Sequence, residues 1–134
     1  MPTATSYTLT ATTTAAFAAA VERARAELKE EGFGVLCEID VQATLREKLG
    51  AEMEPYLILG ACKPPLAHHA LTTEAELGAL LPCNVLVYQR DGETHISAID
   101  AERMLSIVGN NELEPVAAQV RDKLSAVVER AASA

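Results

Sequence analysis

Two periods of apolar residues run along this chain, and the switches between them mark out its elements. Phe17, Val21, Ala24 and Leu28 recur at helical spacing, with Glu22, Arg23, Arg25, Glu27 and Lys29 largely on the remaining face. Residues three and four apart share a helix face, so this stretch reads as an amphipathic helix that runs to Glu31 and stops at Gly32. Tyr7 to Thr10 reads as a short strand, and Thr12, Thr13 and Thr14 as the cap of the helix. Phe33 to Ile39 is a β-type run. Asp40 is placed to cap a second helix, whose stripe of Val41, Leu45 and Leu49 ends at Gly50. Tyr56 to Ala61 is apolar nearly throughout, the mark of a central strand.

Pro64 and Pro65 fit only the first turn of a helix, where a missing N–H costs nothing, so a short helix is expected over about Leu66 to Leu71. Thr73 and Glu76 have the spacing of a capping box, opening a further helix that carries Leu77, Leu80 and Leu81 until Pro82. The clearest local signal follows. Val85 to Arg90, then Asp91-Gly92, then Glu93 to Ile99 reads as a hairpin with a two-residue type I′ turn. That register sets Arg90 opposite Glu93, Tyr88 opposite His95 and Val87 opposite Ile96. Asp100 caps a helix through Met104, Leu105 and Val108 that closes at Gly109. Asn111 and Glu114 read as a second capping box, opening a terminal helix with Leu113, Val116, Val120, Leu124 and Val127 on one face.

Three βα units, a hairpin and two C-terminal helices predict one α/β domain over residues 1–134. Its sheet is expected to be mixed and partly parallel, with helices packed on it. The 134 residues, 49% of them hydrophobic and 22% charged, fit one ordinary globular domain. Charge narrows the partners. With 11 Lys and Arg against 19 acids, the formal charge is −8, which opposes a nucleic-acid surface or docking to an anionic membrane. There is no membrane-length apolar run and the start has no signal-peptide pattern, so a cytoplasmic location is expected. Three cysteines with no Cys-x-x-Cys spacing make neither a disulfide framework nor a structural zinc site.

Candidate chemistry gathers at two junctions. Cys62 lies where a strand meets the proline-started helix, and Cys83 follows Pro82 where a helix meets the next strand. A helix start can stabilise a thiolate, as would the neighbouring Lys63, and Cys83 would then be the resolving thiol. The alternative is a pair of small apolar residues packed at crowded junctions. Cys62, Cys83 and His68 or His69 are soft metal donors, but their spacing matches no known finger, and no metal or cofactor is assigned. Glu38 and Asp40, at i and i+2 of a strand, share a face. They are either acid–base or cation-binding groups, or simply a helix cap (Asp40) and a surface acid (Glu38) paired with Lys48.

The blocks Gly32 to Gly50, Pro55 to His68 and Leu80 to Val85 together resemble the bacterial family called domain of unknown function 302, which has a TT-type α/β fold first described from a thermophile. The resemblance implies a compact α/β domain, often dimeric, and carries no established catalytic residue. Cys37 stands where that family is expected to have a small polar residue, which makes it the least promising thiol. A small ligand bound near Cys62 to Pro64, with Glu38, Asp40, Lys48, Cys62 and His68 as candidate contacts, is the first functional expectation. A thiol-dependent redox protein or enzyme using Cys62, and a homodimeric interaction module, are the alternatives. The first needs a pocket beside Cys62, the second an exposed sulfur, the third a large apolar patch.

Overall fold

A computed structural model describes residues 1–133. Six strands form one sheet: β1 (Thr3–Ala4), β2 (Thr8–Thr13), β3 (Gly34–Asp40), β4 (Tyr56–Cys62), β5 (Cys83–Arg90) and β6 (Glu93–Ile99). Five helices accompany them: α1 (Phe17–Glu30), α2 (Val41–Leu49), α3 (Pro64–Thr73), α4 (Ala101–Ser106) and α5 (Glu114–Ala132). Two short 3₁₀ turns, Ala75–Leu80 and Asn111–Leu113, complete the described elements. The α/β domain with helices on a sheet and two helices at the C-terminal end is as expected.

The sheet is antiparallel throughout, in the order β1-β2-β6-β5-β4-β3, so the partly parallel arrangement expected from the βα alternation is corrected. Helix length explains this. A parallel crossover must return the full length of a strand while packing on the sheet. The nine residues of α2 span only about 13 Å, whereas a seven-residue strand runs about 23 Å. Moreover, α2 buries none of its residues. It is an enlarged hairpin loop between β3 and β4. The same holds for α3 and the turn after it, between the antiparallel neighbours β4 and β5. Only α1 is a true crossover, carrying the chain from β2 past three strands to the far edge.

Strand alternation divides the sheet into two faces. Leu57, Leu59, Ala61, Val85, Val87, Ile96, Ala98 and Leu9 lie on one face and are buried under the helices. The helices contribute Val21, Ala24 and Leu28 from α1 and Val116, Val120, Leu124 and Val127 from α5, the stripes read from the sequence. On the opposite face Tyr56, Tyr88 and His95 stack in a row, with ring centroids 5.1 Å and then 4.7 Å apart.

The hairpin has the expected register, and positive φ values at Asp91 (52°) and Gly92 (81°) give the type I′ turn. Asp40 and Asp100 cap α2 and α4 through the amides of Ala43 and of Glu102 and Arg103. Three caps differ from expectation. Thr12 and Thr13 belong to β2, and Ala16 stands in the capping position of α1, which has no side-chain cap. Thr73 is the last residue of α3 and donates its hydroxyl to the His69 carbonyl, so it cannot open the next turn. Asn110, rather than Asn111, accepts the amide of Glu112 and starts the 3₁₀ turn ahead of α5. Each is a competition among neighbouring short polar side chains, decided by where the strand or helix geometrically ends.

Candidate functional site

At the end where β4 meets α3, the layers do not close. Helix α3 packs chiefly against the two 3₁₀ turns rather than against the sheet. Ala70 is its only buried residue, and Leu77 the only buried residue of the turn that follows. Between this flap, the ends of β4 and β5, and helices α4 and α5 lies a cavity of about 310 Å³. Its walls are aliphatic: Leu66, Ala70 and Leu77 from the flap, Met104 and Leu105 from α4, Val116 and Val120 from α5. Phe33 is the sole aromatic side chain and Lys63 the sole charged one on the lining. A bulge in β3 between Val35 and Cys37 leaves Leu36 without a partner on β4 and places it at the cavity wall, 66% exposed.

Cys62 and Cys83 both line this cavity, so the structure brings together the two residues singled out from sequence. It does not activate them. Burial pushes the Cys62 thiol up. Burial, reinforced by the nearby Cys62, pushes Cys83 up to about 11. The prolines that make the junction recognisable also explain why the helix start gives a thiolate little help. Pro64 and Pro65 occupy the first turn of α3 and have no N–H to donate, while the amide of Ala67 is bonded to the Lys63 carbonyl. Lys63 points away from the thiols, across Phe33 of the same lining. Its Nζ donates to the Glu31 carbonyl at 2.8 Å and sits 5.9 Å from the centroid of the Phe33 ring.

Cys37 is the exposed thiol, on the opposite face of the sheet. It packs over Gly60, where a Cβ would come within 2.5 Å of its Sγ and 2.9 Å of Pro82 Cγ. Glycine there permits this close approach.

The remaining candidates lie outside the cavity. Glu38 is ion-paired with Arg25 of α1, not with Lys48, and Asp40 is occupied as a helix cap at 2.9 Å from the Ala43 amide. Lys48 is exposed on α2, and His68 and His69 are exposed on α3. Among the described residues no three His, Cys, Asp or Glu side chains converge on a point. Sequence reading missed the aliphatic walls, because Leu66, Leu77, Met104, Val116 and Val120 carry the same signal as any core position. The bulge at Leu36 has no signature in the residues themselves.

This arrangement can be set beside known proteins. The family described as domain of unknown function DUF302 matches residues 8–131. The chain belongs to this family. The fold of this DUF302 protein is also that of the uncharacterized conserved DUF302 protein from Bacillus stearothermophilus, seen in a crystal structure. The two are 31% identical with a TM-score of 0.87, over 92% of this chain and 97% of that one. No curated protein matches. The resemblance seen in the sequence blocks is thus borne out for family and fold, and no specific activity comes with it. No helix among the described residues is long and apolar enough to cross a membrane.

Proposed function

We propose that this DUF302 protein binds a small apolar molecule in the cavity beside Cys62 and Pro64. The observation that carries the reading is the cavity itself: about 310 Å³ of space walled almost entirely by aliphatic side chains, whereas two larger clefts, of about 500 and 460 Å³, are lined in large part by polar and charged residues. Ligand sites are commonly concave, largely apolar and preformed. Unlike a polar cleft, which water fills, a space with apolar walls costs stability unless an apolar molecule occupies it. The thiols fit this reading as neutral wall residues. A nucleophile or redox thiol needs the opposite shift in ionisation. All three cysteines are free, as a reducing compartment would keep them.

Titration with a neutral straight-chain alcohol, followed by calorimetry and by thermal unfolding, tests the reading. Binding that raises the melting temperature is expected, because a ligand specific to the folded state stabilises it. Ala67→Phe, at a half-buried wall position, fills the space and removes the binding while the protein remains folded. Equal binding by wild type and the filled variant would refute the site.

A second reading concerns assembly. Strand β3 is an outer strand, six of its seven residues are exposed, and Ile39 is 46% exposed there. An apolar open edge is a template for another strand. We propose that a second copy pairs with it in a homodimer. Sedimentation of wild type as a dimer and of Ile39→Lys as a monomer supports this, and a monomeric wild type at high concentration rejects it.

A further inference from the structure

We infer that the ligand of the cavity is an aliphatic carboxylate, its chain buried against the aliphatic walls and its head group held at the mouth by Lys63. The inference rests on the cavity being a ligand site and goes on to name the chemistry of what enters it.

Three observations converge on it. The first is size. A cavity of about 150 Å³ accepts a benzene ring, six heavy atoms. Scaled to about 310 Å³, the space takes roughly a dozen. That is a chain of about ten carbons with a small head group. The second is wall chemistry. Phe33 is the only aromatic ring on the lining, so there is no pair of aromatic faces to sandwich a flat heterocycle. No hydroxyl, amide or carboxylate side chain lines the space to orient a sugar or a peptide. Leucine, alanine, valine and methionine suit a flexible hydrocarbon.

The third is charge. In a protein of formal charge −8, the one charged side chain on the cavity wall is a cation. Lys63 is partly buried and, among the described residues, takes part in no ion pair. The carboxylate of Glu31, the residue whose backbone carbonyl Lys63 meets, is engaged by Lys123 and Arg130 instead. The Lys63 ammonium donates to the Glu31 backbone carbonyl, lies against Gly32 and faces the Phe33 ring. An ammonium carries three donors, and one is used on that carbonyl. No described residue accepts the other two, which leaves them for an anion, and a charge-assisted hydrogen bond to a carboxylate is stronger than one to a neutral hydroxyl.

The test compares decanoate with decanol, equal in chain length and different in charge, by calorimetry at neutral pH. Wild type, Lys63→Met and Lys63→Arg are each titrated with both. Wild type is expected to prefer decanoate by about tenfold, the scale of one charge-assisted hydrogen bond. Lys63→Met loses that preference while still binding decanol, which shows that its cavity is intact, and Lys63→Arg retains it. If wild type binds the two equally, or the preference survives in Lys63→Met, the carboxylate assignment is overturned while the apolar cavity site stands. If neither compound binds wild type, both fall together.

Discussion

Cys83 offers a quantitative check on the description of the cavity wall. Its thiol ionises at about 11 instead of 9.0 because the packed surroundings disfavour a thiolate and the nearby Cys62 adds repulsion. An acid whose pKa rises on folding holds its proton more tightly in the folded chain. Between the two values the folded protein therefore binds more protons than the unfolded one, and stability falls as pH rises. The contribution is fully present below about 9 and lost as pH passes about 11. Each pKa unit is worth about 1.4 kcal/mol, so the loss across this window is about 3 kcal/mol. Cys83→Ala removes the titrating group and leaves Tyr56, the lysines and Cys62 in place. Urea denaturation of both proteins at a series of pH values isolates the effect as a difference. At neutral pH the variant should be less stable by about 1 kcal/mol, from lost packing. That deficit should vanish and reverse by about pH 11. A gap between the two proteins that stays constant across the window would refute the buried, neutral thiol.

Three further outcomes follow from the same geometry. Alkylation of the reduced, folded protein, read peptide by peptide, should run fastest at exposed Cys37, more slowly at Cys62 and slowest at Cys83; a Cys62 that reacts ahead of Cys37 near neutral pH would restore the activated-thiol reading. Gly60→Ala should cost about 1–3 kcal/mol through its clash with Cys37 and Pro82. Cys37→Ala in the same chain should recover part of that loss, a non-additivity that unfolding curves of the four-member cycle measure directly. Asp100→Ala should cost about 2–3 kcal/mol, because the carboxylate both caps α4 and receives Arg121 Nε at 3.2 Å. Asp100→Asn, which can keep the cap, should lose less, and equal losses for the two would argue that the cap contributes nothing.

How much of this was legible beforehand depended on how far each signal reached along the chain. The hairpin needed only adjacent residues: Asp91-Gly92 supplies two positive-φ positions, and once the turn is set the partners of Tyr88 and Val87 are forced. Asp40 and Asp100 were readable as caps for the same reason, since a cap spans three residues. The Thr73 and Asn111 assignments failed at the same range, because which of several neighbouring polar residues caps depends on where the preceding element ends. The junction of Cys62 with Pro64 stood out from composition alone. Its role did not, because a thiolate site and a packed thiol share the same residues and differ in surrounding dielectric and donors.

The sequence by itself determined the family, the order of the main strands and helices and the apolar stripes of α1 and α5, since all of these follow from local pattern and turn chemistry. Only the tertiary structure decided that the sheet is antiparallel, because strand direction depends on whether the intervening helix packs as a crossover or stands aside as a loop, and α2 stands aside. It also decided that α3 leaves a cavity beneath it, that a bulge sends Leu36 to its wall, and that Glu31 spends its carboxylate on Lys123 and Arg130, leaving Lys63 without one. Those are contests among residues distant in sequence for the same volume and the same charge, and they are settled only when the chain is folded.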